Sequence, residues 1–265
     1  MSKILVNDIS MYYETYGQGE PLIFISGFSA DHSIWKSIAE KFSDRFKIIL
    51  FDNRGVGRSD APEGAYTINL MANDVFKLCE SLDVKNAHFI SSSMGTYILQ
   101  ELAYQYPTLV KSAIFCNGGM NPESPFLFYL EAQYELIKAN TPMECIMKAA
   151  LPWVYSYDYL MDSEKIETLI QAKLDNPYPF TLQGYQGQYA ALCGFNSSTW
   201  AKKIKCRSLI IAGSNDLIFN PMKAKALANE ITGANYYCFE SCGHLPHIEQ
   251  PEEFCLIVDD FLSIS

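Results

Sequence analysis

The sequence predicts an α/β fold, with a mostly parallel central sheet, helices on both faces and one inserted helical segment. Three observations carry this reading. Short runs such as Phe46 to Phe51 and Ala87 to Ser91 are apolar with little alternation, the mark of strands buried on both faces. Amphipathic segments joined by short links separate those runs, as a parallel sheet requires. The rhythm stops near Gly118 and returns at Ser208. The stretch between is rich in aromatic residues and has no buried-strand pattern.

Met11 to Tyr16 and Leu22 to Ser26 read as the first strands, separated by the turn Gly17-Gln18-Gly19-Glu20-Pro21. Ser33 to Phe42 follows as a helix with Ile34, Trp35, Ile38 and Phe42 on one face. After the strand Phe46 to Phe51, Thr67 is placed to cap a helix carrying Met71, Val75, Leu78 and Leu82. Ala87 to Ser91, Met94 to Tyr104 and Ser112 to Cys116 give strand, helix and strand. Phe128 to Ala139 and Ser163 to Leu174 are helical within the interruption. Ser208 to Ala212, Pro221 to Glu230, Asn235 to Phe239 and Glu252 to Leu262 close the chain as strand, helix, strand and helix. We therefore expect a core of residues 1–119 and 201–265 and a helical cap of residues 120–200.

The 265 residues are 49% hydrophobic and 19% charged, a globular balance able to bury a large core. A net charge of −10 offers no basic surplus for phosphates, so nucleic acid is not an expected partner. Adsorption to anionic membranes is disfavoured for the same reason. MSKILVNDIS has too short an apolar run for a secretory leader, and no stretch is long enough to span a bilayer. With eight cysteines but no CxxC pair and no zinc spacing, we expect reduced, mostly buried thiols and a cytoplasmic location. The sequence carries no signal for oligomeric state.

Ser91-Ser92-Ser93-Met94-Gly95-Thr96 lies where a buried strand gives way to a helix. A nucleophile there projects from a sharp turn that needs small residues two positions before and after it. Gly95 sets the register, which makes Ser93 the candidate nucleophile and puts Ser91 where the usual G-x-S-x-G pattern has glycine. Asp216 follows the strand Ser208 to Ala212, and His244 follows the next strand, giving the order Ser, Asp, His. A serine hydroxyl needs a base, and the imidazole needs a carboxylate to fix its tautomer and steady its cation. An anionic intermediate needs preorganised donors, for which the backbone N–H groups of Phe28 and Met94 are the candidates. Gly27, Phe28, Met94 and Trp153 are expected to line the pocket. His247, His32 and His88 read as structural, and Asp31 and Asp83 as capping or solvated groups.

On Ser26-Gly27-Phe28, Asp52-Asn53-Arg54-Gly55-Val56-Gly57-Arg58-Ser59, Ser93-Met94-Gly95, Asp216 and Gly243-His244, the chain resembles the α/β-hydrolase superfamily over nearly its whole length. Outside the cap it is most similar to the esterase and enol-lactonase branch. The resemblance implies the α/β-hydrolase fold, no metal and no organic cofactor. It also implies that Asp52 to Ser59 forms a structural turn. Ser26 stands where many relatives carry His, so a role resting on that His is absent.

The expected activity is hydrolysis of a small carboxylic ester or lactone through an acyl-enzyme. Enol-lactone and carbon–carbon bond hydrolysis use the same scaffold and are not separated by these residues. The alternative from another class is a receptor that keeps the three residues and binds a small signal. Repeated fast turnover of short-chain esters favours the enzyme.

Overall fold

The structure, a computed structural model, describes residues 2–263. Its eight strands are β1 Ser2–Val6, β2 Ile9–Tyr16, β3 Glu20–Ile25, β4 Phe46–Phe51, β5 Ala87–Ser92, β6 Val110–Cys116, β7 Arg207–Gly213 and β8 Asn235–Phe239. They form one sheet in the order β1-β2-β4-β3-β5-β6-β7-β8. The β1–β2 and β2–β4 pairs are antiparallel, and every other pair is parallel. This is the α/β-hydrolase fold, with the mostly parallel sheet that the apolar runs predict.

Strand side chains alternate between two cores, as a pleated strand dictates. Ile23, Ile25, Ile49, Phe51, Phe89 and Phe115 join one core, which α2 Ile68–Ser81 and α3 Met94–Gln105 cover. Leu22, Phe24, Ile48, Leu50, Ile90 and Ile114 join the other, under α1 Lys36–Glu40 and α11 Pro251–Ser263. The Thr67 hydroxyl caps α2 by accepting from Leu70 N–H at 3.1 Å.

Between β6 and β7 run five α-helices and no strand, α4 Ser124–Lys138, α5 Met143–Val154, α6 Tyr157–Leu160, α7 Ser163–Leu174 and α8 Leu182–Cys193, followed by a 3₁₀ turn at Ala201–Lys203. After β7 come α9 Pro221–Glu230 and, following β8, α10 Pro246–Glu249. Among the described residues no helix is long and apolar enough to cross a membrane.

Three expectations need correction. The helix expected over Ser33 to Phe42 is a 3₁₀ turn, His32–Trp35, leading into the short α1, because the Asp31 carboxylate caps Ser33 N–H and starts the turn early. The strand at Leu22 begins at Glu20, inside the expected turn, and β1 was not anticipated. As an edge strand with an exposed face, β1 lacks the continuous apolar run that marked the others. All eight cysteines are free, but only Cys79, Cys116 and Cys242 are buried. Cys145 and Cys193 are exposed because α5 and α8 turn only one side toward the protein.

Candidate active site

The candidate residues follow the carboxyl ends of parallel strands. Gly27 and Phe28 come after β3, Ser93 after β5, Asp216 after β7 and His244 after β8. At β3 the strand order reverses, with β4 on one side and β5 on the other. Such a switch point opens a crevice between diverging loops.

Ser93 is the link between β5 and α3 and has φ 55° and ψ −125°. A non-glycine residue held there costs about 1–3 kcal/mol. The neighbours impose it: Ser93 N–H donates to Cys116 O at 2.9 Å, and Ser93 O accepts from Thr96 N–H at 2.9 Å and Thr96 Oγ1 at 2.7 Å. Gly95 packs so tightly that a Cβ there would lie 2.5 Å from Ile25 O. Ser91 fits the other small position because its buried hydroxyl donates to Ile114 O at 3.0 Å.

Asp216 uses both carboxylate oxygens. Oδ1 accepts from Ile218 and Phe219 N–H at 2.8 and 3.0 Å. Oδ2 accepts from His244 Nδ1 at 2.8 Å and from Asn117 Nδ2 at 2.9 Å. The proton on Nδ1 leaves Nε2 as the acceptor, and this buried atom has no hydrogen-bond partner. Ser93 and His244 line the same cavity. A nucleophile–base contact in an unliganded site is commonly loose and tightens when substrate arrives.

The loop after β3 lies against Ser93, so close that a Cβ on Gly27 would meet Ser93 Cβ at 2.9 Å. Met94 N–H belongs to the first turn of α3, where helical N–H groups have no intrahelical acceptor. The Phe28 loop is held from both sides. Asn53 Nδ2 donates to Ser26 O at 3.0 Å, and Ser26 Oγ donates to Asp31 O at 3.1 Å. From α8, Gln188 accepts from Ser29 N–H at 2.8 Å and donates to Arg54 O at 2.8 Å.

A cavity of about 300 Å³ opens over Ser93 and His244. Of the four candidates for a pocket wall, Gly27 and Phe28 line it. Met94 and Trp153 do not. The Met94 side chain is fully buried in the core. On α5 the lining residues are Met143, Ile146, Met147, Ala150, Leu151 and Val154, one stripe at helical spacing. Trp153 falls off that stripe and stacks on Tyr129, ring centroids 5.0 Å apart; Tyr129 lines the cavity and Trp153 does not.

The histidines expected to be structural have structural contacts. His32 Nδ1 meets Asp52 Oδ1 at 2.6 Å and Nε2 meets Glu14 at 3.1 Å. Burial pushes His32 down, but Asp52, helped by Glu14, more than offsets this and holds it above the usual imidazole range. His88 bonds Ser112 and Glu20. His247 stacks on Trp35 at 4.2 Å, and burial, aided slightly by His244, pushes it down to about 3. Asp83 is solvated, and Asp31 is a cap. Asp31, His32 and Asp52 are the one grouping with metal-ligand spacing among the described residues. Their atoms are committed to hydrogen bonds with His32, Ser33, Arg58 and Asn176, so the group braces the Phe28 loop. The Asp52 to Ser59 segment is a turn, pinned by Arg54, which forms a buried ion pair with Asp74 at 2.5 Å.

Sequence reasoning missed Asn117, Gln188 and Glu249. Asn117 has φ 54°, a left-handed conformation that asparagine tolerates, and Asn117-Gly118-Gly119 after a strand was its only signal. Glu249 accepts from Gly243 N–H at 3.0 Å, next to His244. Burial, with the Asp216 charge, holds Glu249 above the usual carboxylate range against the hydrogen bonds from Ser156 and Gly243.

A family model described as the alpha/beta hydrolase fold matches residues 20–139. The chain is 26% identical over 253 residues to 3-oxoadipate enol-lactonase 2 of Acinetobacter baylyi, covering 95% of this chain and 92% of that protein. Among solved structures it resembles the enol-lactonase from Burkholderia xenovorans LB400, with 27% identity, TM-score 0.89, and 99% and 100% of the two chains covered. It also resembles a thermophilic esterase from Thermogutta terrifontis, with 26% identity, TM-score 0.85, and 98% and 97% covered.

Proposed function

Taking as premise that the chain is an α/β hydrolase by fold, we propose that it is a serine hydrolase that cleaves a small, mostly apolar carboxylic ester or lactone. One observation carries the reading. The His244 ring is anchored through Nδ1 to a fully satisfied Asp216, its buried Nε2 has no hydrogen-bond partner, and His244 and Ser93 line the same cavity. The named activities of the relatives, enol-lactonase and esterase, support the same chemistry.

In this reading His244 Nε2 takes the proton from Ser93 Oγ as the oxygen adds to the carbonyl carbon. The oxyanion so formed accepts from Phe28 and Met94 N–H, donors that carry no net charge and need no reorientation. Nε2–H then protonates the departing oxygen, leaving the acyl group on Ser93. Water attacks that ester with Nε2 as base, and collapse returns the proton to Ser93 Oγ. The helices α4 to α8 act as the cap, and the stripe on α5 receives the acyl or ring portion of the substrate.

The test is a panel of p-nitrophenyl esters of increasing acyl length beside a set of lactones, with Ser93→Ala as control. Repeated turnover of at least one set, lost in Ser93→Ala, supports a hydrolase. A single slow turnover that leaves a lasting complex would instead support the receptor reading. Full activity in Ser93→Ala would overturn both assignments of that serine.

A further inference from the structure

The backbone that carries His244 is tied to the helical insertion as well as to the core. His244 N–H donates to Val154 O at 2.8 Å. One residue earlier, Gly243 N–H donates to Glu249 at 3.0 Å. The same carboxylate accepts from Ser156 N–H at 3.3 and 3.4 Å and from Ser156 Oγ at 2.5 Å. Val154 ends α5, Tyr155 and Ser156 link it to α6, and Ser156 is itself buried. Val154 and Tyr155 also line the cavity over Ser93. A group filling the cavity therefore presses on the end of α5 and the two-residue link, the segment that holds the His244 backbone.

We infer that Glu249 is a positioning residue: by joining Gly243 to Ser156 it makes the alignment of His244 depend on how the cavity is filled. This rests on His244 being the base, as proposed above. Nε2 has to meet Ser93 Oγ at hydrogen-bond distance and angle, and a displacement of about 1 Å can cost 10²-fold in rate. Contacts between an acyl chain and Val154 or Tyr155 then raise kcat, because binding energy remote from the carbonyl is spent on orientation. Glutamine at 249 keeps the shape but loses the charge and replaces one acceptor oxygen with an NH₂. That group would face the N–H of Gly243 or Ser156, donor against donor. Ser156→Ala removes one donor and leaves the carboxylate in place, a milder change of the same link.

The experiment compares kcat and KM for p-nitrophenyl acetate and p-nitrophenyl hexanoate in the wild type, Glu249→Gln, Ser156→Ala and Ser93→Ala. In the wild type kcat should be higher for hexanoate. In Glu249→Gln the hexanoate kcat should fall by roughly tenfold to a hundredfold and the acetate kcat by much less, so the ratio collapses toward one. KM for each ester should stay within about twofold, since what is lost is alignment rather than uniform binding. Ser156→Ala should fall between. Partial unfolding would lower both esters by one factor and keep the ratio, so a retained ratio in both variants overturns the proposal. A wild-type ratio near one does the same. If Ser93→Ala turns over both esters at the wild-type rate, the serine hydrolase reading fails instead, whatever the Glu249 variants do.

Discussion

Asn117 and His244 bind the same oxygen of Asp216, one through a side-chain amide at 2.9 Å and the other through Nδ1 at 2.8 Å. The amide fixes the carboxylate plane, and the carboxylate in turn fixes the imidazole. Asn117→Gly removes the amide while keeping the left-handed backbone at this position. Loss of one hydrogen bond to a charged group is worth about 1.5–3 kcal/mol, so kcat/KM should fall on the order of tenfold to a hundredfold. A variant with wild-type kcat/KM would show that the backbone N–H groups of Ile218 and Phe219 hold Asp216 unaided.

Ser93 combines the proposed chemistry with backbone strain. Ser93→Gly should abolish hydrolysis and stabilise the fold by about 1 kcal/mol, the relief of strain less the greater freedom of glycine in the unfolded chain. That corresponds to a rise of about 2–4 °C in Tm, readable by calorimetry. Ser91→Ala and Ser92→Ala should keep much of the activity. An inactive Ser92→Ala beside an active Ser93→Ala would mean that Gly95 sets a different register.

His244 and His247 are three residues apart and should behave oppositely. Replacing His244 with Ala should cost several orders of magnitude in kcat. His247→Phe, which keeps a ring against Trp35, should leave turnover largely intact and change the response to acid. The folded-state value for His247 is lowered to about 3, against 6.5 for the free side chain. Between those values the unfolded chain takes up a proton that the folded chain refuses. Its contribution to stability is thus complete above pH 6.5 and is lost as the pH falls toward 3, at up to about 1.4 kcal/mol per pH unit. Urea midpoints at pH 7.5 and 5 should therefore differ less in His247→Phe than in the wild type. Equal differences would mean that His247 titrates normally.

In the proposed function the stripe on α5 sets the size of substrate the cavity accepts. Ala150→Phe should lower activity on hexanoate esters relative to acetate by about tenfold, since one or two lost methylenes of fit are worth that much. Trp153→Ala should leave the ratio unchanged and reduce thermal stability, because Trp153 stacks on Tyr129 and does not line the cavity. A shift in chain-length preference from Trp153→Ala alone would restore it to the pocket wall.

The parts legible in the sequence are those written in consecutive residues. Phe46 to Phe51, Asn235 to Phe239, Ser163 to Leu174 and Pro221 to Glu230 have the bounds that their periodicity predicts. Ser93 was marked by Gly95 two positions on, and Asp216 and His244 by the strands before them. What escaped is made of contacts between distant positions. Asn117 reaches Asp216 across 99 residues, Ser29 meets Gln188 across 159, and Ser156 meets Glu249 across 93. No local pattern announces such partners, because each exists only once the sheet order has brought the strand ends together. Trp153 illustrates the converse. Its type suggested a pocket residue, but its phase on α5 turns it away, and that phase becomes meaningful only when the cavity's side of the helix is known.

Gln188 gives the insertion two unequal halves. From α8 it grips the Phe28 loop at Ser29 and the turn after β4 at Arg54, whereas α5 meets the cavity through apolar side chains. Selectivity can thus drift, or be engineered, by recolouring α5 one residue at a time. Grafting a whole foreign insertion would carry α8 with it and disturb the Phe28 loop, unless the graft brings its own equivalent of Gln188. The unit available for exchange is a helix face, and the modular boundary runs inside the insertion, between α5 and α8, rather than at its two ends.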